Sequence, residues 1–426
     1  MKEYKKIKGV NSNPKSYDSG MIEKAKLIEK KLLDEGVEFK DTKNVVPWLI
    51  AMEPFKIDDN LKEKIEKLGK SVYYYIDSIQ KLYEIDKDVK ELLDLNVLED
   101  LKGLDLEKKI QSFRLDIVVE NNIPKITEVE EIYGNAGKMH AMQKAYGVNF
   151  DKLFESFAKE NLKNVLYDDT VKNYIPELNM FIKRMKKQYN IDVNLYPFSE
   201  INDEMTGTTW RFCYTKDFNQ YNYETRQKII NSKMTYINPL FNGYAMKSIF
   251  IPLYEKKYEL FFKENMGEEY YESLRRGTIK SEIINDKTDF NSLINNRKNK
   301  VIKVVDSPKN LDYNWGSRGV YFGDTAKNKW EKIIEYVKKG EIPFNPEINN
   351  VVFMVSELVN SDKYNVDFWD RENNCISTMD NARVRLGPIF FRNGTDIQFV
   401  AGHVTFVNTS RKVHLGKHAV CAPIDL

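Results

Sequence analysis

The sequence predicts an α/β protein whose α+β lobes interleave behind a helical N-terminal region. Three observations lead there. Residues 1–110 carry apolar positions three and four apart, the period changes to two at Gln111, and the chain after Pro346 is rich in strand patterns to its end. A length of 426 residues with 42% apolar content is enough for two or three lobes around one centre.

In the first 110 residues, Met21 to Glu35 and Asp59 to Ile85 set apolar residues at helical spacing between Lys and Glu, and the Tyr73-Tyr74-Tyr75 cluster reads as packing. From Gln111, Phe113, Leu115, Ile117 and Val119 alternate with Arg114 and Asp116. A second run, Lys125 to Glu131, follows an Asn-Asn-Ile-Pro break, which predicts a hairpin. Residues 136–260 alternate expected helices (138–146, 171–189, 222–231, 244–263) with strands (165–167, 192–196, 210–214). Strands follow at 301–305 and 319–322. A helix carrying Trp330, Ile333, Ile334 and Val337 is then stopped by Gly340, and strands at 351–359, 364–370, 382–391 and 397–407 complete the chain. These boundaries suggest a mainly helical region over 1–110, a hairpin and following helix over 111–150, an α/β lobe over 151–240 and further α/β lobes over 241–426.

Charge excludes some functions. The 66 basic and 64 acidic residues nearly cancel to +2, which gives no electrostatic basis for nucleic acid or a membrane surface. No apolar run reaches the eighteen or so residues that span a bilayer. Three cysteines, Cys213, Cys375 and Cys421, have unrelated spacings and fit a reducing compartment, so a cytoplasmic protein without disulfides is expected.

The hairpin SFRLDIVVENNIPKITEVEE carries the chemistry. Arg114 and Asp116 share one face of the first strand, and Glu128 and Glu130 share one face of the second. A two-residue turn would oppose Asp116 to Thr127. A three- or five-residue loop opposes it to Glu128, and Pro124 favours the odd loop because it starts a strand but cannot donate to a ladder. Opposed carboxylates repel unless a cation lies between them, and Mg²⁺ fills that need while leaving room for phosphate oxygens. A surface hairpin with an ordinary Arg114–Glu130 pair is the plainer alternative. With the metal absent, crowding of the three acids predicts a strained or partly protonated site.

Lys247 in INPLFNGYAMKSIF and Lys303 in VIKVVD lie in otherwise buried runs and require anionic partners, for which phosphate is suited. The loop NWGSRGVYFG brings Gly316, Ser317 and Gly319 around Arg318, either a plain turn or a backbone cradle for phosphates. The run VVFMVSELVNS ends in Glu357, Leu358 and Val359, either a core strand with a polar end or an edge suited to adenine.

Together these pieces resemble the circularly permuted ATP-grasp ligases of the glutathionylspermidine synthase type, over roughly residues 110–410. In that family an Arg-x-Asp strand and a Glu-x-Asn strand precede the phosphate-binding lysines. Here the order is Arg114-x-Asp116, Glu128-x-Glu130, Lys247, Lys303, the loop 316–319 and Glu357. The resemblance implies ATP and Mg²⁺ as cofactors, with Asp116, Glu128 and Glu130 as metal ligands. It puts Lys247 and Lys303 on ATP phosphates and Arg114, with Arg318, at the transferred phosphoryl group. Arg385, beside Gly387 and Pro388, would be the C-terminal phosphate arginine, with Arg383 as the alternative.

The implied reaction joins a small-molecule or peptide carboxylate to an amine through an acyl phosphate. A non-catalytic nucleotide-binding protein and a phosphotransferase are the alternatives. Glu130 stands where the family has Asn, an insertion is expected around 256–295, and YGNAGKMH differs from the usual substrate-facing segment. No cysteine precedes Cys213, so the amidase domain of bifunctional members is not expected. Two weaker candidates remain: His414-x₃-His418-x₂-Cys421 is half a zinc pattern, and His140 follows the hairpin closely enough to reach a substrate.

Overall fold

The computed structural model describes residues 7, 10–37, 45–95, 97–106, 108–213, 215–241, 247–307 and 318–426. In chain order the N-terminal part forms β1 (Ser12–Ser16), α1 (Ser19–Asp34), β2 (Leu49–Ile50), β3 (Phe55–Lys56), α2 (Asp59–Ile85), α3 (Lys87–Leu93), β4 (Ser112–Glu120) and β5 (Ile123–Glu130). The middle forms α4 (Ala136–Tyr146), α5 (Asp151–Lys159), β6 (Leu162–Tyr167), α6 (Ile175–Tyr189), β7 (Asn194–Pro197), β8 (Thr206–Phe212), α7 (Tyr223–Ile230) and β9 (Lys233–Tyr236). The remainder forms α8 (Glu259–Met266), α9 (Glu268–Gly277), β10 (Ser281–Ile283), α10 (Phe290–Asn295), β11 (Lys300–Asp306), β12 (Val320–Phe322), α11 (Lys327–Lys338), β13 (Val352–Glu357), β14 (Lys363–Asp370), β15 (Cys375–Asn393), β16 (Asp396–Val407) and β17 (Val420–Asp425).

Three sheets organise these elements. The largest has nine strands in the order β2-β17-β16-β15-β4-β5, with β1 and β14 also on β15 and β3 on β17. Two apolar layers cover it. Phe113, Leu115, Ile117 and Val119 of β4 pack with α2, α8 and α9 on one face, while Ile389 and Phe391 of β15 pack with α1, α4, α5 and α6 on the other. Because β4 alternates, burying its apolar residues toward α2 turns Arg114 and Asp116 to the opposite face. A parallel sheet, β7-β6-β8-β9, is anchored to the end of β5 by a buried Arg211–Glu131 pair at 2.6 Å. An antiparallel sheet, β10-β13-β11-β12, packs on α11 through Trp330, Ile333, Ile334 and Val337.

Several expectations are corrected. Residues 1–110 are not only helical, since β1, β2 and β3 join the large sheet. Within 244–263, the described residues form single turns at Pro252–Tyr254 and Lys256–Tyr258 before α8 begins. Pro252 lacks the N–H a continuous helix needs, and Glu255 is extended (ψ 122°). Strands β9 and β17 and helix α5 were not foreseen, and 256–295 contributes α8 and α9 to the layer over α2. Tyr73 and Tyr75 are buried, as packing requires. Among the described residues no helix is long and apolar enough to cross a membrane.

Candidate active site

The β4–β5 hairpin opposes Arg114 to Glu130 and Asp116 to Glu128, the register that brings the acids together, but not by an odd loop. Glu120 pairs with Ile123 across a two-residue turn in which Asn121 (φ 53°) and Asn122 (φ 57°) are both left-handed. That is the backbone of a tight type I′ hairpin, which asparagine tolerates. The parity is restored farther along. Ile117 pairs with Ile126 and Asp116 with Glu128, so Thr127 is an extra residue, a β-bulge. Its hydroxyl donates to the Asp116 carbonyl at 3.0 Å, and its own carbonyl accepts from the Lys303 ammonium at 3.3 Å. The bulge both sets the acids opposite each other and ties the hairpin to β11.

Asp116, Glu128 and Glu130 each offer a carboxylate oxygen within 4.8 Å of the others, the only such group of three among the described residues. Oxygens around Mg²⁺ lie about 2.1 Å from the ion, hence at most about 4.2 Å apart. Small side-chain rotations therefore fit the three to one hard cation.

The site is expected to be strained or partly protonated without metal; at Asp116 two arginines act against protonation. Asp116 is 2% exposed; its Oδ1 accepts from Arg114 Nε at 3.0 Å and its Oδ2 from Arg385 at 2.8 Å. Burial pushes the carboxyl up, but the two guanidiniums outweigh it and hold it below the usual range. A second Arg114 nitrogen stands 3.9 Å from Glu130. Such proximity of Arg385 to the hairpin requires a close contact behind it. A Cβ on Gly387 would lie 2.8 Å from His403 and 3.4 Å from Arg114, so only glycine fits.

The phosphate candidates converge on the other side of the acids. Lys303 is buried on β11, opposite Met354 and Val320. Burial lowers its ammonium below the ordinary range, against the pull of Glu128 and alongside repulsion from Lys247. Burial likewise lowers Lys247, which faces Glu128 and Glu130. A cavity of about 160 Å³ lies here, walled by Val301, Val320 and Phe322 and bounded by Glu357, Leu358 and Val359. The Leu358 N–H donates to the Asn299 carbonyl at 2.9 Å, so that group belongs to the sheet. Gly316 and Ser317 lie outside the described residues. Gly319 accepts from the Val304 N–H at 2.8 Å, and Arg318, exposed beside it, lines neither this cavity nor the next. Lys412, not singled out in the sequence, lines the cavity and feels the charge of Lys247.

A second cavity of about 440 Å³ opens on the α4 side, lined by Trp48, Arg114, Glu130, Lys138, Glu177 and His403 among others. Asp116, Glu128, Arg385 and His414 line both cavities, so the acids stand where the two meet. Lys138 sits in the YGNAGKMH segment that departs from the family pattern, and His403 interrupts an apolar strand as Lys303 does. That interruption was a readable signal. Glu177 gave none. Other candidates fall elsewhere: Arg383 donates to the Ser410 carbonyl at 3.3 Å, and His140 is satisfied by Arg184 at 2.7 Å and Glu35 at 3.2 Å. Cys421 is buried in β17 and free, as are Cys213 and Cys375, and His418 lines neither cavity.

No protein-family model matches the chain, and no curated protein matches it in sequence. Solved structures do match. A glutathione synthetase-like effector from Globodera pallida, in its apo form, superposes with a TM-score of 0.57 at 12% identity, covering 99% of each chain. A Methylobacillus flagellatus protein provisionally assigned as a gamma-glutamylcysteine synthetase gives a TM-score of 0.42 at 10% identity, over 88% of this chain and 89% of that one. At such identity the first likeness speaks to architecture alone: the chain shares the mixed α/β fold of that glutathione synthetase-like effector.

Proposed function

We propose that the protein is an ATP- and Mg²⁺-dependent ligase that activates a carboxylate as an acyl phosphate and joins it to an amine, of the circularly permuted glutathionylspermidine synthase-like type. The observation that carries this reading is the carboxylate triad at the meeting point of two cavities, one lined by Lys303 and Lys412 and walled by apolar side chains, the other roomy enough for an acceptor. In this reading Asp116, Glu128 and Glu130 hold the cation. When bound, Mg²⁺ supplies charge neutralisation to the phosphate oxygens.

Lys303, Lys247 and Lys412 draw the phosphate oxygens toward the triad, and their depressed ammoniums are restored to full charge by that anion. Arg114 and Arg385 flank the carboxylate that meets the γ-phosphorus. Its oxygen forms the new P–O bond as the bond to ADP breaks, and the amine then displaces phosphate from the acyl carbon. Positioning and fixed charge carry most of the rate.

The test is ADP release with pooled carboxylic acids and pooled amines. The expected outcome is release that requires both pools, loss of it in Asp116→Ala and Glu128→Ala, and an Mg²⁺ requirement raised about tenfold in Glu130→Gln through lost ligand charge. Release with one pool alone would make the protein a phosphotransferase. ATP binding without ADP release under any condition would make it a nucleotide-binding regulator.

A further inference from the structure

Lys138 is 4% exposed on α4, and its ammonium has no hydrogen-bond partner. Its Nζ lies over the Trp48 ring, 5.7 Å from the centroid. A buried ammonium with nothing to bond is a standing cost to the fold, and this one lines the larger cavity. Glu177 does not satisfy it: that carboxylate accepts from the Lys138 backbone N–H at 3.4 Å, and its own charge is suppressed by burial. His403 repeats the pattern. It is 2% exposed, its Nδ1 has no partner, and it lines the same cavity.

Position separates these groups from the triad. Lys138, His403 and Trp48 line the larger cavity only, whereas Asp116 and Arg385 line both, so a carboxylate reacting at the junction leaves Lys138 unmatched.

Resting on the ligase reading above, we infer that the acid substrate carries a second anionic group, and that Lys138, assisted by His403, holds that group in the larger cavity while the reacting carboxylate lies beside Arg114 and Arg385. Lys138 is then a specificity determinant. The chemistry fits a compact dicarboxylic acid, or an acid with another anionic substituent in the same position.

The probes are succinate, glutarate and adipate, each paired with its monomethyl ester, which removes one charge at nearly constant shape. Each is titrated by calorimetry into the full-length protein carrying Mg²⁺ and a non-hydrolysable ATP analogue. The expected result is that at least one diacid binds the wild type about tenfold or more tightly than its ester, as a charged hydrogen bond warrants. In Lys138→Met the preference should fall to about twofold or less, with affinity for the ATP analogue unchanged, and Lys138→Arg should retain most of it. Lys138→Met should also melt at a higher temperature, since it removes the unmatched charge. Lys138→Gln serves if methionine is not tolerated.

Equal binding of every diacid and its ester, no binding of either, or a preference that survives both neutral substitutions would overturn the inference. These outcomes are read with nucleotide binding intact and without turnover. They are therefore separable from failure of the ligase reading, which shows as absent ADP release.

Discussion

Asp116 holds two guanidiniums where a cation is proposed to enter, and that arrangement keeps the acid ionised and oriented in the absence of metal. Glu177 is the opposite case. Burial raises its carboxyl to about 7 from an ordinary 4.5, despite opposing pulls from Lys138 and Arg114. A carboxyl with a raised folded pKa favours folding when protonated. Between pH 4.5 and about 7 the unfolded chain gives up this proton while the folded one keeps it, so stability falls across that window and levels off above it. Glu177→Gln should therefore match the wild type near pH 4 and exceed it by roughly 1–3 kcal/mol at pH 8. Parallel urea titrations at both pH values check this, and a pH-independent difference would refute the assignment. The same contrast shows what a sequence reveals at this scale. Asp116, Glu128 and Lys303 sit on strands, where period-two alternation states which face a side chain takes. Lys138 and Glu177 sit on helices, and whether they meet a cavity depends on which face of α4 docks against α6.

The hairpin is held at its tip by a residue from another part of the chain. Asp362 accepts from the Asn121 N–H at 2.8 Å and the Asn122 N–H at 3.0 Å, and donates its own N–H to Val119 at 2.7 Å. Asn360 adds a bond to Glu120 at 2.7 Å. Residues 360–362 follow directly on Glu357, Leu358 and Val359, so the edge of the smaller cavity and the triad-bearing hairpin are fastened to each other. Asp362→Ala leaves two turn N–H groups without their carboxylate and should cost roughly 1–2 kcal/mol of stability. It should also weaken binding of an ATP analogue and of Mg²⁺ together, although it touches neither cavity. Loss of stability with both affinities unchanged would show that the fastening is only structural. Local sequence carried the hairpin and its register but not the means. Pro124 suggested an odd loop, whereas Asn121 and Asn122 form an even turn and Thr127 supplies the extra residue. A bulge leaves no sequence mark unless the strand partner is already known.

Element order was largely legible because each helix or strand carries its own period, but assembly was not. β1 pairs with β15 across more than three hundred residues, and β2 and β3 pair with β17, so the large sheet joins both ends of the chain through contacts that no local pattern encodes. What seats that sheet is α2. Gly69 lies where the helix crosses Phe390; a Cβ there would stand 2.1 Å from Phe390 Cε1 and 2.4 Å from Cζ. Phe390 in turn stacks on Phe113 with ring centroids 5.4 Å apart, and Phe113 precedes Arg114, so the seat of α2 lies directly behind the candidate site. Alanine is the better helix former by about 1 kcal/mol, yet overpacking of a rigid ring outweighs it. Gly69→Ala should destabilise by roughly 1–3 kcal/mol, and Phe390→Leu alone by roughly 1–2 kcal/mol for its lost packing. In the double variant the smaller side chain makes room for the new methyl group. The combined loss should then fall short of the sum by at least about 1 kcal/mol in urea unfolding, the signature of two residues sharing one space. Strict additivity would mean that α2 shifts away from the sheet to admit the methyl group, and that the layer behind Arg114 is softer than this packing implies.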